Sequence, residues 1–154
     1  MGKFKGETQY EEGLSLSSVV VVLIGILHLV VSQSGKSNNV QVSIGQSSKF
    51  SEEEIKEAVA KVKTEFRGFQ GCELTDIWYT EEESTKIAED YLNYGGGSEK
   101  DIDPNNVIGL LSNFEVDSSG SDGSLEPSST YTEWNWILIR DSKSQKWRVV
   151  DSGY

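Results

Sequence analysis

Asp76 and Trp78 stand two residues apart in Cys72-Glu-Leu-Thr-Asp-Ile-Trp-Tyr79, and Trp134, Trp136 and Arg140 recur at even spacing in Thr130-Tyr-Thr-Glu-Trp-Asn-Trp-Ile-Leu-Ile-Arg140. In an extended strand, even spacing puts side chains on one face. An acid among indole rings is the raw material for a general base in an apolar cleft. The same rings can form an aromatic-lined binding cleft. Asp76, Trp78, Trp134, Trp136 and Arg140 are therefore the candidate ligand-binding residues. The plainer reading is that the aromatics fill a half-buried sheet face. Asp76 would then lie at a sheet edge or pair with an arginine such as Arg140 or Arg148.

Residue counts exclude much other chemistry. The chain of 154 residues has one cysteine, Cys72, and one histidine, His28. Cys-His or Ser-His-Asp catalysis would need His28, which lies in the most apolar run of the chain, to reach the folded domain. A zinc site of Cys and His lacks its ligands, and no intramolecular disulfide can form. Cys72 beside Gly71 reads as a small buried hydrophobe. Asp117-Ser-Ser-Gly-Ser-Asp-Gly123 is loosely like a calcium loop, but its ligand spacing is wrong and a solvated turn accounts for it. Gly95-Gly-Gly97 follows a helical pattern instead of preceding one, so it terminates a helix and does not cradle phosphate. No catalytic residue, metal or cofactor is expected.

Fourteen basic residues face 25 acidic ones, a formal net charge of -11. Before Lys49 three lysines balance three glutamates, so the excess acid lies from Lys49 onward, 22 acidic against 11 basic. Nucleic acid and anionic lipid headgroups reward clustered Lys and Arg, so neither is an expected partner of this region. A small molecule or a protein remains as the partner class.

These side chains must be positioned by a sheet and by helices that cover it. Thr130–Arg140 and Lys146–Tyr154, joined by Asp141-Ser-Lys-Ser-Gln145, form a β-hairpin pattern. Trp134, Trp136 and Leu138 share a face, which Trp147 and Val149 join across the ladder. Ser51 and Glu54 make a capping box, with Phe50 and Ile55 as its staple. Ile55, Ala58, Val59, Val62 and Phe66 then form one apolar helical stripe, and Gly68 is the expected left-handed cap. Cys72–Tyr79 reads as a strand with Cys72, Leu74, Asp76 and Trp78 on one face. A second capped helix starts at Thr80, with Ile87, Ala88, Tyr91 and Leu92 inward. Asn106–Val116 is a longer strand, and Asp117–Ser129 is a loop. The order α-β-α-β-β-β predicts an α+β domain: a curved antiparallel sheet of about four strands with helices on one face.

Four segments follow. Residues 1–13 are a polar tail. Residues 14–32 are an apolar anchor or signal segment, residues 33–48 a linker, and residues 49–154 the α+β domain. Within the linker, Val40-Gln-Val-Ser-Ile44 alternates and can pair as a short edge strand. Leu14 to Val31 is 18 residues without a charge, at the short end of what spans a bilayer. A helical membrane anchor, a cleaved signal core and a buried core element are the three readings. The lysine balance favours a single-pass anchor with the domain outside the cytoplasm, the alternative being secretion after cleavage.

Phe50-Ser-Glu-Glu-Glu-Ile55, Gly71–Tyr79, Asn106–Phe114, Gly123–Tyr131, Trp136–Asp141 and Trp147–Tyr154 together resemble an uncharacterised domain of gut and soil low-GC Gram-positive bacteria. The resemblance covers residues 50 to 154. That domain is similar to the NTF2-like, or cystatin-like, α+β class. It also occurs appended to membrane metallopeptidases similar to the β-lactam-sensing antirepressors. The family has no assigned activity, so the resemblance carries over no catalytic residue. Two points depart from the pattern. Asp151-Ser-Gly-Tyr154 stands where an Asp-Trp-Gly-Tyr is expected, and the first 49 residues lie outside it. No His-Glu-x-x-His occurs in this chain. The expected function is thus non-catalytic binding. The alternatives are a small NTF2-like enzyme using a pocket carboxylate such as Asp76, and a purely structural interaction domain.

Overall fold

The computed structural model describes residues 34–154. The expectations for the polar tail and for the apolar segment 14–32 lie outside the described residues. The chain from Ser34 to Tyr154 forms one unit of α+β class. In chain order its elements are β1 (Gln41–Ile44), α1 (Glu52–Glu65), β2 (Cys72–Tyr79), α2 (Glu81–Asn93), β3 (Val107–Val116), β4 (Thr130–Ile139) and β5 (Arg148–Gly153). Residues 34–48, read as a linker with a pairing-competent stretch, contribute β1 to the sheet.

The sheet has five strands in the order β1-β2-β3-β4-β5. It is mixed and not purely antiparallel. β1 runs parallel to β2, and the other pairs are antiparallel. The parallel pair follows from connectivity, because α1 carries the chain back from the end of β1 to the start of β2.

α1 forms where its caps and stripe require. Glu54 N–H donates to Ser51 Oγ at 3.3 Å, and Ser51 N–H donates to Glu54 Oε2 at 2.8 Å. Ile55, Ala58, Val59, Val62 and Phe66 are all buried, along with the staple residue Phe50. The isoleucine, valine and phenylalanine side chains each contribute roughly 1.5–3 kcal/mol by leaving water. The helix does not end on Gly68. It tightens into a 3-10 turn, Phe66–Gly68, and the left-handed position falls on Gly71, at φ 69°.

The helices do not share one face of the sheet, contrary to the sequence pattern. α1 packs against Leu74, Ile77, Ile108, Leu110, Phe114, Trp136 and Leu138. α2 places Ala88 and Tyr91 against Val107 and Ile139. On β3 these are alternate residues, so α1 and α2 lie on opposite faces. The uninterrupted apolar run Val107–Leu111, with Gly109 at its centre, is what a strand covered on both faces needs. A Cβ on Gly109 would sit 2.7 Å from the Ile87 Cβ, so only glycine lets α2 approach this closely.

Candidate functional site

Alternation along β2 breaks at Thr75. The register with β3 shifts between Leu74 and Asp76, a bulge that inverts the side-chain parity of all that follows. Leu74 and Ile77 therefore both face α1. Asp76 and Trp78 face α2, on the other side of the sheet from Leu74. A second irregularity lies opposite Asn113 on β4, between Tyr131 and Trp134. There Glu133 adopts φ 57°, a conformation that costs a non-glycine residue on the order of 1 kcal/mol. Asn113 holds both irregularities. Its carbonyl accepts the Thr75 hydroxyl at 3.1 Å, and its Oδ1 accepts the Glu133 N–H at 3.0 Å. Nothing in the local pattern around Asn113 singled it out beyond a polar Ser-Asn pair interrupting an apolar strand.

The five sequence-predicted residues thus divide between two faces. Trp136 is fully buried facing α1, its Nε1–H donating to Ser112 Oγ at 2.8 Å. Trp134 lies half-buried on the same face, edge-on to Phe69, Phe114, Tyr131 and Tyr154. Its buried Nε1 has no hydrogen-bond partner among the described residues.

Arg140 also faces α1, and its side chain is only 2% exposed. Its Nη2 lies 2.7 Å from Glu54 Oε1. That contact is an ion pair and not an aligned hydrogen bond. Its Nε donates to Asn106 Oδ1 at 3.2 Å, and the guanidinium sits 4.3 Å from the centre of the Trp147 ring. Trp147 Nε1–H in turn donates to the Glu54 carbonyl at 3.0 Å. The Ser51 N–H bond, and after it the contact with Arg140, hold the Glu54 carboxyl below the ordinary carboxylate range, against the opposing effect of partial burial. The sequence alternative that paired Asp76 with Arg140 or Arg148 is replaced by Arg140–Glu54 and Arg148–Asp141.

Asp76 and Trp78 stay accessible. Trp78 is half-buried, and its Nε1–H donates to Glu83 Oε2 at 3.1 Å. The same oxygen accepts the Thr80 hydroxyl at 3.0 Å, so the first turn of α2 fixes the indole. Beside them an open groove of about 390 Å³ runs along β1, lined by Gln41, Ser43 and Gly45 as well as Asp76 and Trp78. On the opposite face, past the end of β1, a second groove of about 410 Å³ is lined by Ile44, Ser47, Phe50 and Ile55.

The remaining nucleophile is withdrawn. Cys72 is 2% exposed, and burial, seconded by the Asp117 charge, pushes its thiol up to about 11. Asp117 spends its carboxylate on the N–H and hydroxyl of Ser119, the turn geometry expected of a solvated loop. Among the described residues no group of three His, Cys, Asp or Glu side chains could hold a metal ion. No protein-family model matches this chain, and no curated protein and no solved structure matches it either.

Proposed function

We propose that this chain is a membrane-tethered, non-catalytic binding protein whose α+β domain works outside the cytoplasm and takes a ligand or protein segment in the groove along β1. The observation that carries the reading is the division of the candidate residues. Trp134, Trp136 and Arg140 are used in the core, whereas Asp76 and the fixed ring of Trp78 line an open groove. A pre-set aromatic surface with one nearby carboxylate is a recognition surface. An enzyme using Asp76 as a base would want it enclosed in a pocket away from water, and Asp76 is only half-buried beside an open groove.

The tether is residues 14–32, taken as a helix. Its support is the uncharged run from Leu14 to Val31. Among the described residues no helix is long and apolar enough to cross a membrane. Assignment of the domain to the NTF2-like or cystatin-like class belongs to the same proposal. It is supported by the long helix α1 lying across the aromatic face formed by β2 to β5.

The test is an NMR titration of the full chain in detergent with peptides and small polar ligands. Shifts concentrated at Trp78 Nε1–H, Asp76 and residues 41–45, with Trp136 unmoved, are expected. Shifts confined to other surfaces would overturn the reading. For the tether, the full chain should stay with membranes through a carbonate wash, and release into the supernatant would sink it.

A further inference from the structure

We propose that the outer edge of β1 accepts an extended segment of a partner protein as a sixth strand, and that the fitting segment alternates apolar with basic side chains. This rests on the binding reading above and names its ligand class.

Among the described residues β1 is the terminal strand of the sheet. Gly45 N–H donates inward to the Tyr79 carbonyl at 2.9 Å. By strand alternation the amides of Ser43 and Gln41 also face β2, and those of Val42 and Ile44 face outward. Exposed edges are commonly blunted by lysine, proline, an inward charge or a bulge. Gln41-Val-Ser-Ile44 is short, at four residues, but has none of these, and Val42 is 45% exposed.

Both sides of this edge are grooved. A strand laid against it would send alternate side chains to opposite faces. One set meets the exposed Val42 and, at the end of β1, a groove in which Ile44, Phe50 and Ile55 stand among Gln46, Ser47, Ser51 and Glu52. The other set meets Asp76 and Trp78, a carboxylate and a ring face that both favour a cation. From Lys49 onward the chain carries 22 acidic and 11 basic residues, so a basic segment is drawn in and a second copy of this chain is repelled.

The experiment measures fluorescence anisotropy of the full chain in detergent with a labelled peptide alternating valine and lysine. Two controls are a valine–glutamate peptide and a valine–lysine peptide N-methylated at alternate amides, which keeps the side chains but cannot complete a ladder. The lysine peptide should bind, more weakly as salt rises, and the glutamate peptide should not. N-methylation should weaken binding roughly tenfold or more, since ladder hydrogen bonds are lost. Val42→Pro should do the same, because the lost N–H points away from β2, and Trp78→Ala should also weaken binding.

If N-methylation and Val42→Pro leave affinity unchanged while Trp78→Ala abolishes it, the groove reading survives and the sixth strand does not. If the lysine peptide does not bind, the proposed partner chemistry is wrong. Peptide-free self-association that Val42→Pro removes would make the occupant a second copy and overturn the proposal. Because N-methylation alters only the peptide, the test stands even if Val42→Pro fails to fold.

Discussion

The two faces of this sheet are built to different ends. Under α1, Phe66, Phe69, Phe114, Trp134 and Trp136 meet ring to ring at 5.0–6.4 Å, and the indole N–H of Trp136 is satisfied within the layer. Under α2 the layer is thinner. Ala88, Tyr91, Val107 and Ile139 form a small cluster, and the face extends beyond the helix on the β1–β2 side to the half-buried Trp78 and Asp76. One face has spent its aromatic residues on stability, and the other keeps one available for contact. Identical residue types thus differ in role according to which face of the sheet they occupy.

That contrast predicts a graded series of effects. Trp136→Ala or Phe66→Ala should cost about 3–5 kcal/mol in denaturant unfolding, and Trp78→Ala about 1 kcal/mol or less, since a half-exposed ring leaves no closed cavity. Equal losses on the two faces would break the comparison.

Arg140→Ala comes next. It leaves Glu54, which keeps its Ser51 bonds, without its cation and removes the cation from the Trp147 ring, so about 1–3 kcal/mol is expected at neutral pH. The pH dependence has a definite sign. The folded Glu54 carboxyl lies below its ordinary value, so its contribution is present above the unfolded value of about 4.3 and is lost as pH falls through the folded one. Glu54→Gln should flatten the acid limb of stability below about pH 4 while leaving the slope above pH 6 unchanged. A limb of the same steepness in the variant would show that Glu54 does not cause it.

Asn113→Ala removes the side-chain oxygen that satisfies Glu133 N–H and should cost about 1–2 kcal/mol. It should also shift the amide resonances of both bulges, at Thr75 and at Glu133. A shift at neither would separate the bulges from Asn113. At the bottom of the series, Glu57→Ala and Lys61→Ala on the outer side of α1 should be near neutral in the same unfolding assay. Lys61 reaches Glu65 only at 3.9 Å and in solvent, where an ion pair contributes little.

What was legible in the sequence was local. The capping box, the α1 stripe, the limits of β2 and the β4–β5 hairpin each depend on residues within one or two turns of each other, and they form as read. The bulge at Thr75 is held from β3, so nothing in Cys72–Tyr79 announces it, and strict alternation put Asp76 on the wrong face. The apolar run Val107–Leu111 did carry the signal for a doubly covered strand, with Gly109 as the point of close approach. A pattern search confined to one helix at a time does not pick that signal up. Arg140 was legible as unusual among aromatics. Its partner was not, because Glu54 already had a sufficient local role in the cap of α1.

The Glu54–Arg140–Trp147 contact also bears on when the domain can form during synthesis. The antiparallel strands pair with their neighbours in chain order, so β2, β3 and β4 can associate as they emerge. α1 is made before them, yet the residues that fix its first turn lie at the end of β4 and the start of β5. Until that hairpin leaves the ribosome, the amino end of α1 is held only from β2 and the start of α2, by Phe50 and Ser47 on Tyr79 and by Ser48 on Glu81. The contacts of Glu54 with Arg140 and Trp147 are the last to be added to this end of the helix. Its final locking is a long-range step, entropically costly and late.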